Sequence, residues 1–416
     1  MKAGLIISFV VFYCFFQASA QRACNSYNYQ QEQLIKNPSI AGEVNNIELF
    51  TRQNINNSIV GRLENSIIRI PVVVHILYHY PSEKISDEAV MAQIDALNKY
   101  FRRKNPDTAN VPSYFKVLAA DCEIEFQLAI SDPKRRSTNG IIRKYTPITK
   151  WTADDKMKFS SEMGNDAWDT KNYLNIWVCN LDKFAGYSST PGGEPAKDGI
   201  VIGFPAFGSQ NGNAGYESGK TAVHEIGHWL NLKHLWGDEN CGDDGVADTP
   251  KQASYTPGCP KTARVTCGNG PYGDMYMNYM DFTSDACVNM FTLGQKERMR
   301  ALFEPGGPRA GLLTSKGLTP PLIFEIPLPG ETDPQWLQPN LYPNPAISGI
   351  TLDLSYDIRW LGKNIFVTNM QGQNVMNLMV TSKIMHIDVS KLQSGIYFFA
   401  AKNDDGVSMK LKFVKM

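Results

Sequence analysis

His224-Glu225-Ile226-Gly227-His228, followed by His234, reads H-E-x-x-H-x-x-x-x-x-H, and each residue type in it has a chemical use. On a helix, His224 and His228 fall one turn apart on one face, so both imidazoles reach a single ion. Glu225, beside them, is placed to take a proton from a water on that ion. His234 adds a third nitrogen and leaves zinc one open position, as in a catalytic rather than a closed structural site. H-E-x-x-H alone also describes a surface helix that happens to carry two histidines and a glutamate. Against that reading, the chain has only 6 histidines, and three of them lie within residues 224–234. The flanks Gly219-Lys220-Thr221-Ala222-Val223 and Trp229-Leu230 suit a buried active-site helix.

The long form with the third histidine resembles the metzincin metallopeptidases. In that clan a glycine three residues after the second histidine turns the chain and swings the third histidine onto the metal. Here the position is Asn231, the non-glycine residue that best tolerates a left-handed backbone. The clan also has a methionine turn beneath the metal, and Met277-Asn278-Tyr279-Met280-Asp281-Phe282 fits it with Met280 as the turn residue. Met280 is then a packing floor and not a ligand.

Over residues 66–315 the resemblance is to the pappalysin family, bacterial branch. It rests on Ile70-Pro71-Val72-Val73-Val74-His75, Leu174-Asn175-Ile176-Trp177-Val178, Asp198-Gly199-Ile200-Val201-Ile202 and the zinc motif. Asp248-Thr249-Pro250, Asn278-Tyr279-Met280-Asp281 and Phe291-Thr292-Leu293-Gly294-Gln295 complete it. It implies an α+β, zincin-like catalytic domain with a mixed sheet, an active-site helix and a loop-rich lower half. It implies one catalytic zinc on His224, His228 and His234, with Glu225 as catalytic base. Many members have a tyrosine two residues after the Met-turn methionine; here it is Phe282, which has no hydroxyl, and nothing in the sequence lets the nearby Tyr279 replace it.

The resemblance carries four further expectations. It pairs Cys241 with Cys267 and Cys259 with Cys287. It offers Asp243, Asp244, Asp248 and Thr249 as a calcium site, although clustered Asp and Gly also make an ordinary turn. It puts Asp285 at the wall of the S1′ pocket, where a carboxylate favours Arg or Lys at P1′; a solvated loop aspartate is the alternative. It makes Cys24 a cysteine switch, a thiolate filling the open zinc position, against the reading of an unremarkable N-terminal cysteine. An arginine preference would allow autolytic propeptide removal before Arg52 or Arg62.

The 416 residues suffice for two or three domains, and a formal net charge of +0 offers no electrostatic case for nucleic acid. Lys2, the apolar residues 5–16 and Ala18-Ser19-Ala20 read as a signal peptide, residues 1–20, cut before Gln21. The apolar run is short for a membrane anchor, and no other segment suits a transmembrane span. Export permits disulfides. Beyond Cys14 in the leader, seven cysteines remain, at 24, 122, 179, 241, 259, 267 and 287, so at least one is unpaired. Cys122 and Cys179 border two strand-like runs that, if parallel, put them at opposite ends, so both read as buried thiols.

Residues 21–65 are polar, rich in Asn and Gln, and read as a propeptide without a core pattern. Residues 67–78, 123–130 and 173–178 read as strands, residues 151–168 as a helix, and Ser86-Asp87-Glu88 caps a helix with Val90, Ile94 and Leu97 on one face. Residues 295–302 form a last helix. Substrate is expected to lie extended against an edge strand near residues 185–190, pairing by backbone hydrogen bonds. Residues 316–340 are a Pro-rich linker. From 341 to 416, short alternating strands at 351–356, 364–369, 385–389, 396–400 and 409–414 read as a small all-β sandwich. Its opening Tyr342-Pro343-Asn344-Pro345 and closing Lys412-Phe413-Val414-Lys415 resemble the type IX secretion sorting domain, with the secretion machinery as partner; a generic carbohydrate-binding or adhesive sandwich is the alternative. The function expected is a secreted zinc endopeptidase acting on protein or peptide substrates. A zinc-binding pseudoenzyme and a surface adhesin are its rivals.

Overall fold

The structure, a computed structural model, describes residues 24–56, 67–208, 218–322, 339–354, 360–402 and 408–416. The segment read as a signal peptide, and Arg62, lie outside the described residues. The segment read as polar and patternless carries two helices, α1 (Ser26–Lys36) and α2 (Ile40–Asn56). A signal for α2 is present in the sequence. Ile40, Val44, Ile47 and Thr51 recur every three or four residues and make one face. Thr51 is fully buried and Ile47 packs on the main core.

The sheet is built around β1 (Ile68–Tyr78), whose β-branched run is buried along almost its whole length. Helix α3 (Asp87–Phe101) follows, with Ser86 Oγ accepting from Ala89 N as its cap, then a short α4 (Ser113–Lys116). Strands β2 (Ile124–Leu128), β3 (Ile141–Tyr145), β4 (Leu174–Cys179), β5 (Gly186–Ser188) and β6 (Ile200–Gly203) complete it. The order is β2-β1-β4-β6-β5, with β3 also beside β1. All pairs are parallel except β5 with β6, which leaves the antiparallel β5 at the edge. Cys122 and Cys179 are buried free thiols whose pKa burial raises.

The helix expected over 151–168 does not form. Two short 3₁₀ turns, Lys156–Lys158 and Ser160–Glu162, stand there instead. Asp155 and Met163 both have left-handed backbone (φ 68° and 66°), which breaks a right-handed helix at each point. Gly164 packs on this bend so closely that a Cβ would sit 2.2 Å from the Met157 carbonyl oxygen.

Below the sheet lie the zinc-motif helix α5 (Lys220–Trp229) and α6 (Leu293–Ala301), the latter opened by a Thr292–Gln295 capping box. Helix α2 packs on α6. The loop-rich stretch between α5 and α6 is stapled by disulfides Cys241–Cys267 and Cys259–Cys287. The C-terminal region is a sandwich with its own core around Leu352, Val367, Phe399 and Phe413. Its strands are β7 (Asn340–Tyr342), β8 (Gly349–Asp353), β9 (Asn364–Asn369), β10 (Asn374–Met379), β11 (Ile384–Asp388), β12 (Gly395–Lys402) and β13 (Ser408–Lys415). One sheet runs β10-β9-β12-β13 and the other β11-β8-β7. Strands β7 and β10 are additional to the sequence reading; both are largely exposed and lack a clear apolar alternation. No helix among the described residues is long and apolar enough to cross a membrane.

Candidate metal centre and active site

Helix α5 presents His224 and His228 one turn apart, and the chain then reverses at Asn231. Asn231 adopts φ 68°, and Leu232 N donates back to Gly227 O at 2.9 Å, closing the helix as a glycine would. Two outside groups hold this turn. Arg298 Nε donates to Asn231 O at 2.7 Å, and Asn231 Nδ2 donates to Thr51 Oγ1 of α2 at 3.2 Å.

Each histidine spends its Nδ1 on a fixed acceptor. His224 Nδ1 donates to Tyr279 O at 2.6 Å, His228 Nδ1 to Leu232 O at 2.9 Å, and His234 Nδ1 to the Asp238 carboxylate. These partners put the proton on Nδ1 and leave three Nε2 lone pairs facing one point. His228 Nε2 lies 3.1 Å from the Nε2 of both His224 and His234. Burial foremost pushes His228 down to about 3, so its imidazole stays neutral. The fourth corner is the Cys24 sulfur, 3.6 Å from His228 Nε2. All four ligand atoms lie within 4.8 Å of one another, and among the described residues no other His/Cys/Asp/Glu group meets that spacing. A tetrahedral zinc with Zn–N of about 2.05 Å and Zn–S of about 2.3 Å places nitrogens about 3.3 Å apart and sulfur about 3.6 Å from nitrogen. Three converging lone pairs with no proton between them need a cation, and this donor set fits zinc.

Glu225 is fully buried. Its Oε2 accepts Ser26 Oγ at 2.7 Å and lies 3.6 Å from Cys24 Sγ. Burial and then the Glu225 charge raise the Cys24 thiol, whereas a cation beside the sulfur would favour the thiolate. Cys24 reaches this point by running along β5: Asn25 N donates to Gly186 O at 3.2 Å and Ser188 N to Ser26 Oγ at 2.9 Å. A Cβ at Gly186 would stand 2.9 Å from the Val201 carbonyl oxygen and 3.1 Å from Glu225 Cγ, so glycine keeps this close approach open.

Met280 is fully buried under the helix, and a Cβ at Gly227 would lie 2.5 Å from its sulfur. The ring of Tyr279 packs on Tyr100 and Phe291, away from the histidines. Phe282 stands 4.8 Å from the His234 ring and 5.5 Å from His224, and Trp236 stacks on His234 at 4.4 Å. Sequence reading passed over Ser26, Trp236, Gly186 and Asp238. Asp238 had a signal, being an acid four residues past a ligand histidine.

Asp285 is buried near the start of α5, with Ser218 N at 3.4 Å and its carbonyl oxygen accepting Lys220 Nζ at 2.7 Å. The acidic loop does not converge. Asp243 accepts from Gly245 N, Asp244 from Val246 N and Thr249 Oγ1, and Asp248 from Thr292 Oγ1 and Gly294 N. Asp244 is pushed up to about 7 by burial.

Residues 158–304 match the peptidase family described as pregnancy-associated plasma protein-A, and residues 340–416 match a secretion system C-terminal sorting domain. An extracellular metalloprotease of Arthroderma gypseum is 27% identical over 303 residues, 69% of this chain and 85% of the relative. One of Arthroderma otae is 30% identical over 250 residues, 57% of this chain and 78% of the relative. Tannerella forsythia mature mirolysin, solved with a cleaved peptide, is 47% identical with a TM-score of 0.59, spanning 60% of this chain and 96% of its own. A Tannerella forsythia promirolysin mutant is 42% identical with a TM-score of 0.66, spanning 70% of this chain and 97% of its own. The protein is therefore a metalloendopeptidase, a hydrolase secreted or held at the cell surface, with a type IX sorting domain behind its catalytic part. Matched across most of the length of such relatives, the chain belongs to the pregnancy-associated plasma protein-A (pappalysin) family of metallopeptidases.

Proposed function

We propose that the chain is the latent form of a zinc endopeptidase in which Glu225 is the catalytic base and Cys24 the switch that blocks it. One observation carries the reading: three histidine nitrogens, a cysteine sulfur and a buried glutamate meet at one point beside the β5 edge. His224, His228 and His234 would hold the ion, and Met280 would floor it. Bound zinc supplies Lewis acidity, polarising the scissile carbonyl and lowering the pKa of water. Removal of residues 21–65 vacates the Oε2 that Ser26 occupies. Glu225 then takes the proton of the attacking water there and delivers it to the leaving amine. Substrate pairs with the edge of β5 that residues 24–26 cover in the latent chain. The test is metal content with activity. We expect one zinc per chain, turnover abolished by a chelator, and turnover restored by zinc; full turnover in zinc-free enzyme would sink the reading.

The finer assignments are ours as well. The organisation we adopt is signal peptide 1–20, propeptide 21–65, catalytic domain 66–315, linker 316–340 and sorting domain 341–416, the last engaging the type IX machinery. Asp285 selects Arg, then Lys, at P1′. Asp285→Ala should flatten a tenfold or greater preference for Arg over Leu at P1′, on the order expected for a charged pair. A preference unchanged in the variant would refute it. Helix α2 contains Arg52, and a cleft that binds extended chain cannot take the bond before it without unwinding that helix. Calcium at Asp243, Asp244, Asp248 and Thr249 is offered on residue type and the family resemblance. It would have to displace the hydrogen bonds described above, and the same metal analysis counts it.

A further inference from the structure

The propeptide does more than deliver a thiol. Tyr29, one helical turn past Asn25, is 3% exposed and lies inside an apolar cluster of the catalytic domain with Met157, Trp177 and Tyr187. Its hydroxyl donates to Asp155 Oδ2 at 2.7 Å, and its ring stands 4.9 Å from that of Tyr187. The slot is built independently of Tyr29. Asp155 Oδ1 is held by Lys158 Nζ at 2.8 Å and by Tyr187 Oη at 3.0 Å. Lys158, itself 0% exposed, is fixed by the Lys197 carbonyl at 2.7 Å and faces the Trp177 and Tyr187 rings. Asp155 takes a left-handed backbone (φ 68°), a strained conformation for a non-glycine residue and one that the surrounding contacts must maintain. Removal of the propeptide takes the Tyr29 hydroxyl from Asp155 Oδ2, whereas the Lys158 and Tyr187 contacts to Oδ1 involve no propeptide residue.

Tyr187 lies in the middle of β5, the strand whose outer edge the propeptide covers. A peptide added to that edge points the side chain opposite Tyr187 to the same face as Tyr187, with Cβ atoms about 5 Å apart. That face holds the slot. We propose that the Tyr29 slot is a substrate subsite for a phenolic side chain, read by Asp155 and stacked on Tyr187, and that Tyr29, reaching it from helix α1, fills it in the latent chain. The proposal rests on the peptidase reading above. A site built to accept a hydrogen bond from a hydroxyl rejects the analogue lacking it more strongly than an apolar pocket discriminates by size.

The experiment uses the full chain activated by propeptide removal, without mutation, so folding of a variant is not at issue. Matched quenched peptides carry Tyr, Phe or O-methyltyrosine at each position in turn on either side of one scissile bond. We expect one fixed position, within about three residues of the bond, at which Tyr exceeds Phe in kcat/KM by roughly tenfold or more, with O-methyltyrosine no better than Phe. Equal cleavage of Tyr and Phe peptides at every position would overturn the subsite while leaving the peptidase intact. Absence of all turnover would take both readings down together.

Discussion

Glu225→Ala lowers kcat/KM of the activated enzyme by roughly 10²–10⁴-fold, the range removed with a positioned general base, and leaves one zinc per chain. The split between activity and metal follows from the geometry. The three histidines are held through their Nδ1 atoms by Tyr279 O, Leu232 O and Asp238, none of which involves Glu225. Glu225 points instead to where Ser26 and Cys24 sit in the latent chain. Losing a buried carboxylate also removes its desolvation cost, so Tm should not fall. Peptide cleavage rates and metal analysis on the same preparation check this. A variant that still turns over at the parent rate would remove Glu225 from the mechanism, and one that loses zinc would make its role structural.

Cys24→Ala releases latency in the uncut chain. Initial rates on a small peptide, taken before any propeptide is cleaved, should rise by roughly 10²-fold, the scale on which losing one of several linked anchors weakens a combined attachment. The rise should stop short of the activated enzyme because other anchors remain. Asn25 N still pairs with Gly186 O, Ser26 still caps Glu225 and Tyr29 still donates to Asp155. At the far end, Glu48 still pairs with the fully buried Arg298, which holds the Glu48 carboxyl down at about 2 against the opposing effect of its partial burial. An uncut Cys24→Ala chain as silent as its parent would show that these contacts, and not the thiol, impose latency.

The chemistry of the site was legible because zinc dictates residue types at fixed spacings. His224, Glu225 and His228 share a helix, and the turn that delivers His234 needs only a residue tolerant of positive φ, which Asn231 is. The strand order and the antiparallel sense of β5 were not legible, although an edge strand near residues 185–190 was expected and β5 stands there. Three-residue β5 has no periodicity to read, and its role comes from Gly186 letting the edge approach Glu225. The helix misread over 151–168 failed for a local reason: left-handed turns fall on Asp155 and Met163, neither of them glycine, and Gly164 beside the second is the one breaker residue in the stretch. Helices α1 and α2 were passed over because their mean polarity hid the face through Ile40, Val44 and Ile47. That face finds its partner only in tertiary contact with the catalytic domain. Ser26 and Trp236 were invisible for a similar reason, since each acts on a residue it meets in space.

Both disulfides fall within residues 241–287, and their partners stand 26 and 28 residues apart. On the chain-entropy account each closes a loop worth about 3.5 kcal/mol, so together they weigh about as much as the whole stability of a modest domain. In a reducing cytoplasm those thiols stay apart, and the half that carries Met280 and Asp285 lacks that support. The histidines of one helix can be made before export, but the floor beneath them closes firmly only in an oxidising compartment. On the reading proposed for Cys24, the producing cell is guarded twice, by a plug in the cleft and by the address at which the cleft is finished.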